Sequence, residues 1–168
     1  RILGVDSDTH NIAQCLIETG GDGWHVVSAT TYATAELRVG GLCDYLLVLT
    51  VDDYVGIEMP FLHPNPLKRN PHTLMLLSEV IGRIKQMTED HIPDDHILEI
   101  TRAEALAQVG LAGIPIRKTT KAEQAAYLGV MRLRTGCSQL ATTHEADACV
   151  VAMAALAKVR EKEVRDGN

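Results

Sequence analysis

The sequence Ile2-Leu3-Gly4-Val5-Asp6 places four apolar residues directly before one aspartate. The polar segment that follows, residues 7–11, has the composition of a turn. A short apolar run bounded by turn residues is typical of a strand that is buried on both faces. An ionised carboxylate at the end of such a strand is costly unless another group compensates its charge. Asp6 alone could simply cap its own turn, but two later carboxylates occur in matching settings.

The composition predicts one globular domain over residues 1–168. With 46% hydrophobic and 23% charged residues, a chain of 168 residues can bury a real core. No apolar run approaches the ~20 residues of a membrane span, and no segment resembles a signal peptide. The four cysteines contain no CxxC pair and are expected to be free thiols. We therefore expect no membrane partner and a cytoplasmic location, or an organellar one if the source is eukaryotic.

The charges are distributed unevenly along the chain. The net charge of −6 argues weakly against a nucleic-acid partner. Residues 1–58 hold nine acidic residues against two arginines, whereas residues 111–134 hold five basic residues against Glu123 alone. A basic face beside an acidic pocket can bind a phosphate backbone while the pocket concentrates cations. An ordinary solvated helix surface would give the same pattern, so both interpretations stay open.

The first 58 residues predict three antiparallel strands, one helix and a fourth strand. Strand patterns span residues 2–6, 12–18 and 24–31, and the turn cluster at 19–23 joins the last two as a hairpin. A poor helix is expected over residues 42–49. Tyr54-Val55-Gly56-Ile57-Glu58 then repeats the opening pattern, a short apolar strand that ends in a carboxylate.

Clear helix-start signals follow in the rest of the chain. Asn70 and Pro71 suit the N-cap and first position of a helix that runs to about residue 89, ahead of Pro93. Thr-x-x-Glu capping boxes at residues 101–104, 120–123 and 142–145 open three more helices. The second of these is expected to reach about residue 133 and the third about residue 163. Residues 96–100 predict a further short strand.

This element order predicts an α/β fold with a five-stranded mixed sheet, in which three antiparallel strands are followed by parallel ones and helices flank the sheet. Ligands gather at strand ends in such sheets. If the strands at 2–6 and 54–58 are parallel and adjacent, Asp6 and Glu58 emerge at the same edge.

A third carboxylate comes from the last helix. His144 and Asp147 are three residues apart and share a face with the apolar Ala148, which should pack on the sheet. Asp147 therefore needs a partner, for which a cation shared with Asp6 and Glu58 is the best candidate. Three carboxylates favour Mg²⁺ or Mn²⁺, and two such ions about 4 Å apart would suit phosphodiester hydrolysis.

Together these segments resemble the RuvC family of Holliday junction resolvases, part of the RNase H-like superfamily. The segments are Ile-Leu-Gly-Val-Asp at 2–6, Val-Gly-Ile-Glu at 55–58 and His-Glu-Ala-Asp-Ala at 144–148. They occur in the family's order and at suitable spacings over nearly the whole chain. The resemblance implies an RNase H-like fold and a homodimer that nicks two opposing strands of a four-way DNA junction, with Mg²⁺ or Mn²⁺ bound as two ions per site.

Carried over by position, the resemblance assigns roles to four residues. It implies that Asp6 is the central metal ligand, that Glu58 is the second, and that Asp147 is the carboxylate of the last helix. His144 stands where the family has Asp or His, and so joins both the catalytic and the metal-binding set.

Basic residues and one aromatic residue are expected to contact DNA. Lys121, at the start of a helix, resembles a family lysine that approaches the backbone near the cut phosphate, and it is therefore also a catalytic candidate. Lys118 is its rival for that role. The remaining expected contacts lie in the proline-containing loop after Glu58 and just before Lys118: Phe61, Lys68, Arg69 and Arg117. Phe61 would replace an aromatic residue that the family often inserts at the junction centre.

Two departures from the family concern acidic residues near the site. Ser7-Asp8 stands where the family commonly has Pro-Gly, which places a fourth carboxylate close to Asp6. Asp8 could tune metal affinity, but we favour a cap of its own turn. Glu145 is likewise explained by a capping box with Thr142.

Other protein classes share parts of this pattern. Sugar kinases and related ATPases also open with an apolar strand that ends in Asp, but they need a glycine-rich phosphate turn, and residues 7–11 contain no glycine. A non-catalytic binder of the same fold would be expected to lack a carboxylate. A related nuclease that acts on RNA or on other branched DNA is the main alternative.

The helix after Pro71 predicts a second interaction surface. At 100° per residue, its apolar residues cover about 160°, more than the ~100° stripe that packs on one core. Met75 lies outside this arc, which comprises Leu74, Leu76, Leu77, Val80, Ile81, Ile84 and Met87. A twofold mate is the commonest partner for a soluble protein, although loop 60–69 or a neighbouring helix could cover the same surface.

Overall fold

A five-stranded mixed sheet forms the centre of the fold in the computed structural model, which describes residues 1–8, 10–20, 23–33, 48–60, 70–116 and 118–167. The strands are β1 (Ile2–Ser7), β2 (Asn11–Gly20), β3 (Gly23–Ala33), β4 (Tyr54–Glu58) and β5 (Ile97–Ile100). Their spatial order is β3-β2-β1-β4-β5. β2 is antiparallel to both β1 and β3, whereas the β1–β4 and β4–β5 pairs are parallel. The predicted sheet is therefore confirmed.

Four α-helices flank the described part of the sheet: α1 (Pro71–Glu89), α2 (Arg102–Ala107), α3 (Lys121–Thr135) and α4 (Thr143–Asp166). The side chain of Asn70 accepts hydrogen bonds from the backbone at the start of α1, and complete capping boxes open the other three helices, as predicted. α3 extends two residues beyond the predicted end, to Thr135, before Gly136 adopts a left-handed conformation with φ of 68°. The helix predicted at 42–49 lies mostly outside the described residues.

The two faces of the sheet carry separate hydrophobic cores. Residues alternate along β1, so Leu3 and Val5 face the core that includes α1. Ile2, Gly4 and Asp6 point to the opposite side, where α4 crosses the sheet. This alternation means that one strand can contribute to both cores and still present its terminal carboxylate to α4.

Glycine allows α4 to approach the sheet closely. A Cβ atom at Gly4 would lie 2.1 Å from the carbonyl oxygen of Ala148 and 2.8 Å from the Cβ of Ala152. At Gly56, which pairs with Gly4 in the parallel register, an added Cβ would lie 2.8 Å from the Cβ of Ala155. Small residues on both elements thus set the distance between α4 and the two central strands.

Much of the apolar surface of helix α1 is covered by its own chain. Val80, Ile81 and Ile84 are buried in the core beneath it, and Leu77 and Met87 pack against the same cluster. The expected surplus of apolar surface is therefore smaller than the sequence alone suggested, because residues distant in sequence cover the middle of the helix.

Two further expectations concern thiols and membranes. Cys15, Cys137 and Cys149 are free, as predicted, and the structure also buries them, whereas Cys43 lies outside the described residues. Within the described ranges, no helix combines the length and hydropathy needed to cross a bilayer.

The close approach of α4 gives a stability prediction. Gly4→Ala should lower the free energy of unfolding by about 3 kcal/mol, the upper end of the usual cost of overpacking, because the new methyl group meets a helix backbone that cannot rotate away. Gly56→Ala should cost less, since its nearest obstacle is a side chain. Urea denaturation measures both.

Gly82→Ala serves as the control, because this position in α1 has nothing within 4 Å of an added Cβ. Alanine there should leave stability unchanged or raise it by up to about 1 kcal/mol. A Gly4→Ala variant as stable as the wild type would contradict the described packing.

Candidate active site

Strand register places the two predicted strand-end carboxylates side by side. The parallel β1–β4 pairing runs from Ile2 with Tyr54 to Val5 with Ile57. Asp6 and Glu58 each follow the last pair by one residue, so both side chains emerge on the α4 face at one edge. Both carboxylates are largely buried, each with 12% of its side chain exposed.

The first turn of α4 brings His144 to the end of β1. Its Nδ1 atom lies 3.3 Å from Oδ2 of Asp6, and its Nε2 atom lies 3.6 Å from Oδ2 of Asp8. The hydrogen bond with Asp6 raises the pKa of His144, against the opposing effect of burial, and the charges of Asp6, Asp8 and Asp147 add to the rise. The imidazole thus lies between two carboxylates, which favour its protonated form.

Asp147, one turn further along α4, is 2% exposed and is surrounded by donors. One carboxylate oxygen accepts a hydrogen bond from the Lys118 ammonium, which also lies 4.8 Å from the centre of the Tyr127 ring. The other oxygen accepts from the Tyr127 hydroxyl and lies 3.6 Å from Nη2 of Arg102. Burial and the charge of Asp147 raise the pKa of Tyr127, so the phenol remains a donor. The negative charge that the sequence left without a partner is thus compensated by the chain itself.

Glu58 is a buried carboxyl group close to the like charges of Asp6 and Asp147. The pKa of Glu58 is raised to about 8, and burial is the largest cause. The charges of Asp6 and Asp147 and a hydrogen bond with Asp6 contribute to this rise, while the charge of Arg102 opposes it. Nη1 of Arg102 is 3.3 Å from Oε1 of Glu58. Two adjacent buried carboxylates need a shared proton or a cation.

The donor set has the chemistry of a site for a hard divalent cation. Asp6, Glu58 and Asp147 supply carboxylate oxygens at one sheet edge, and a cation there would offset the charges of Asp6 and Asp147 that contribute to the raised pKa of Glu58. Across the described part of the chain, however, no three His, Cys, Asp or Glu side chains stand at metal-holding spacing. In the structure, oxygens of Asp147 and Glu58 contact Lys118, Tyr127 and Arg102 instead. The Mg²⁺ or Mn²⁺ site stays a prediction.

Two acidic neighbours have structural roles that the sequence indicated. Asp8 accepts hydrogen bonds of 2.6 Å from the backbone amides of both His10 and Asn11, which caps the β1–β2 turn. Although burial opposes the effect, these amides lower the pKa of Asp8. Glu145 completes the capping box of α4 with Thr142.

The predicted DNA-binding residues divide into two groups. Lys118 lies inside the carboxylate group, whereas Lys121 lies at the rim of a groove between the starts of α3 and α4 that His144 also lines. Lys121 therefore borders the site without contacting its carboxylates in any described pair. The other expected contacts fall outside the described residues: Phe61, Lys68, Arg69 and Arg117.

Arg102 and Tyr127 are site residues that the sequence reasoning missed. Ile100 pairs with Glu58 in the β4–β5 register, so a residue two positions later lies close to that carboxylate. The sequence could therefore have indicated Arg102, provided that β4 and β5 were assumed to be parallel neighbours. Tyr127 gave no comparable signal, because its contact with Asp147 depends on how α3 packs against α4.

The fold is similar to solved structures of junction resolvases. A Thermus thermophilus RuvC structure matches with a TM-score of 0.59 and 15% identity over 94% of this chain and 95% of that chain. T. thermophilus RuvC in complex with a Holliday junction substrate gives a TM-score of 0.64 at 15% identity, with the same coverage. A Fowlpox virus resolvase in complex with Holliday junction DNA gives 0.52 at 10% identity, over 94% and 97% of the two chains.

These likenesses confirm the RNase H-like fold that the sequence motifs implied, and at such identities they establish the fold alone. No protein-family model and no curated protein sequence matches the chain.

The raised pKa of Glu58 predicts how stability depends on pH when no metal is present. The folded state keeps this proton up to about pH 8, whereas the unfolded chain loses it near 4.5. The folded state thus binds more protons between these values, and the free energy of unfolding should fall as pH rises through the interval. Glu58→Gln removes the titration and should be more stable than the wild type by about 1–3 kcal/mol at the alkaline end.

Thermal denaturation in a chelating buffer at several pH values measures this difference. Glu89→Gln, the same change at an exposed residue ending α1, is the matched control and should track the wild type. A Glu58→Gln variant no more stable than the wild type in mild alkali would contradict the repulsion between Glu58 and Asp6.

Proposed function

We propose that this chain is a metal-dependent endodeoxyribonuclease that cuts four-way DNA junctions by phosphodiester hydrolysis. The observation that carries the proposal is the convergence of Asp6, Glu58 and Asp147 with His144 at one sheet edge. It supports the proposal because it occurs in a fold shared with RuvC bound to a junction substrate and with a poxvirus resolvase bound to junction DNA. A related nuclease that acts on RNA or on other branched DNA is the alternative.

The proposed cofactor is Mg²⁺ or Mn²⁺, as two ions, held by Asp6, Glu58 and Asp147 with His144. When bound, such ions activate a water molecule and stabilise the leaving oxygen of a phosphodiester. Asp6 and Glu58 provide two adjacent carboxyl groups at the centre of the site. Because Asp6 raises the pKa of His144, the imidazole holds a proton to higher pH than a free one. His144 can act as a ligand only after it gives up that proton.

Two lysines support the DNA part of the proposal. The Lys118 ammonium lies against Asp147, where it can reach a phosphate oxygen that enters the carboxylate group. Lys121 and Gln124 line the groove that leads to His144, so they suit the backbone on either side of the cut. Of the two catalytic lysine candidates, Lys118 has the closer contact to the carboxylates and Lys121 the more open position.

Asp6→Asn tests the metal chemistry directly. The change removes a charge but little volume, so the fold should survive while cleavage falls by at least ~10³-fold, the scale of losing a main electrostatic stabiliser of the transition state. Binding of a four-way junction should persist, because a repulsive carboxylate has been replaced. Cleavage of a labelled junction and a gel-shift titration measure the two effects.

Glu58→Gln and Asp147→Asn should behave in the same way as Asp6→Asn. Glu18→Gln, at an exposed residue of β2, is the matched control and should cleave normally. Near-normal cleavage by Asp6→Asn would remove the basis of the proposal.

The proposed assembly is a homodimer, because symmetric nicking of two strands needs two equivalent sites. The start of α1 supports this, since Met75 is 62% exposed and its apolar neighbours Leu74 and Leu76 are only partly buried. These three residues form the part of the helix that its own core leaves open. Ile81 is buried in that core, so a substitution at this position cannot be used to test for an interface.

Leu76→Asp should therefore split the dimer and convert paired nicking into single nicking, because it places a charge within an apolar contact. Light scattering at low micromolar concentration gives the mass, and a junction on a supercoiled plasmid separates single from paired nicks. Val164→Asp makes the same kind of change at a 68% exposed residue of α4 and should have no effect. A monomeric wild type that still makes paired nicks would refute the assembly.

A further inference from the structure

The position of Arg102 is set by the strand next to Glu58. Ile100 is the register partner of Glu58, and its carbonyl oxygen accepts a 2.8 Å hydrogen bond from the backbone amide of Met59. β5 ends at this point, and Thr101 caps the helix that follows. Arg102 is the first residue of that helix, and the register therefore delivers its side chain to the same sheet edge as Glu58.

Helix α2 is anchored on both sides of this residue. Glu104 closes the capping box with Thr101 and also lies 2.9 Å from the Lys158 ammonium of α4. Ala105 and Leu106 are buried in the core. The backbone of Arg102 is thus held in place, and only its flexible side chain is left to move.

The guanidinium of Arg102 connects two of the proposed metal ligands. Nη1 is 3.3 Å from Oε1 of Glu58, and Nη2 is 3.6 Å from Oδ1 of Asp147. Among the cationic side chains in the described ranges, Arg102 is the one that contacts the carboxylates of both β4 and α4. Lys118 contacts the other oxygen of Asp147 and forms no described ion pair with Glu58.

We propose that Arg102 is a positioning residue whose guanidinium occupies the space between the carboxyl groups of Glu58 and Asp147 and competes with the divalent cation for them. The inference rests on the proposed function, and it adds a residue that sets the metal affinity of the proposed site. One guanidinium and a divalent cation cannot both occupy the space between these two oxygens, and their like charges repel. Metal binding therefore requires the Arg102 side chain, which is 31% exposed, to leave toward solvent.

Competition makes a prediction that distinguishes it from two simpler roles. If Arg102 only stabilises the fold, its removal lowers stability and leaves metal affinity unchanged. If Arg102 assists metal binding by orienting the two acids, its removal weakens affinity. If Arg102 competes, its removal lowers the stability of the metal-free protein and strengthens metal binding at the same time.

Arg102→Gln, which keeps much of the side-chain length without the charge, provides the test. We expect the dissociation constant for Mn²⁺, measured without DNA by the electron paramagnetic resonance signal of the free ion, to fall about tenfold, which corresponds to ~1.4 kcal/mol. The Tm of Arg102→Gln in a chelating buffer should lie below that of the wild type, and saturating Mn²⁺ should close this gap.

Arg83→Gln is the matched control, because Arg83 forms an exposed 2.7 Å ion pair with Glu79 on α1 and the substitution changes the net charge equally. Its Mn²⁺ affinity should equal that of the wild type. Arg102→Lys keeps the charge but loses the two-pronged contact. It should give an intermediate tightening, and it keeps the test decisive if Arg102→Gln does not fold without metal.

The outcomes separate this inference from the proposed function. If the wild type binds Mn²⁺ and the Arg102 variants bind it equally or more weakly, the competition is refuted and the nuclease proposal stands. If neither the wild type nor the variants bind Mn²⁺, both are refuted. Tighter binding by Arg102→Gln, with Arg83→Gln unchanged, supports the competition.

Discussion

Helix α4 lies so close to β1 that the carbonyl oxygen of Ala148 occupies the space where a side chain at residue 4 would begin. The rest of the candidate site depends on this contact. Because Gly4 and Gly56 are register partners, one helix can lie low over both central strands. His144 precedes Ala148 by one helical turn, and Asp6 follows Gly4 on the same face of β1. The packing distance therefore also fixes the distance between His144 and Asp6.

A consequence of this packing is that several acids are buried together. The structure compensates them with nearby donors: His144 beside Asp6, Arg102 between Glu58 and Asp147, and a lysine with a tyrosine on Asp147. Such compensation is incomplete at Glu58, whose pKa is raised to about 8. A group of carboxylates whose negative charge is only partly neutralised by the chain's own donors is suited to bind a cation, because the cation supplies the missing positive charge. The same few contacts thus govern the stability of the metal-free protein and would govern the proposed metal binding.

The sequence was informative where a local pattern repeats. Apolar strands that end in a carboxylate occur at Asp6 and Glu58, and Thr-x-x-Glu boxes mark three helix starts. The mixed five-stranded sheet, and the meeting of these acids with His144 and Asp147, could therefore be predicted. The contact between Tyr127 and Asp147 could not be predicted, because it depends on how α3 packs against α4. Arg102 could be placed beside Glu58 only once β5 was taken as the parallel neighbour of β4. The same limit applies to α1. Its apolar arc alone does not reveal which of its residues pack in the core of the chain and which stay exposed.

The most direct test of the central claim, that the carboxylates at this edge form a metal-dependent junction nuclease, is cleavage by the unmodified chain. A synthetic four-way junction would be compared with matched duplex, single strands and an RNA–DNA hybrid, with Mg²⁺, with Mn²⁺ and with a chelator. We expect paired nicks in the junction, much slower cutting of the other substrates, and no cutting in the chelator. Cleavage that continues in the chelator, or equal cutting of all substrates, would contradict the claim.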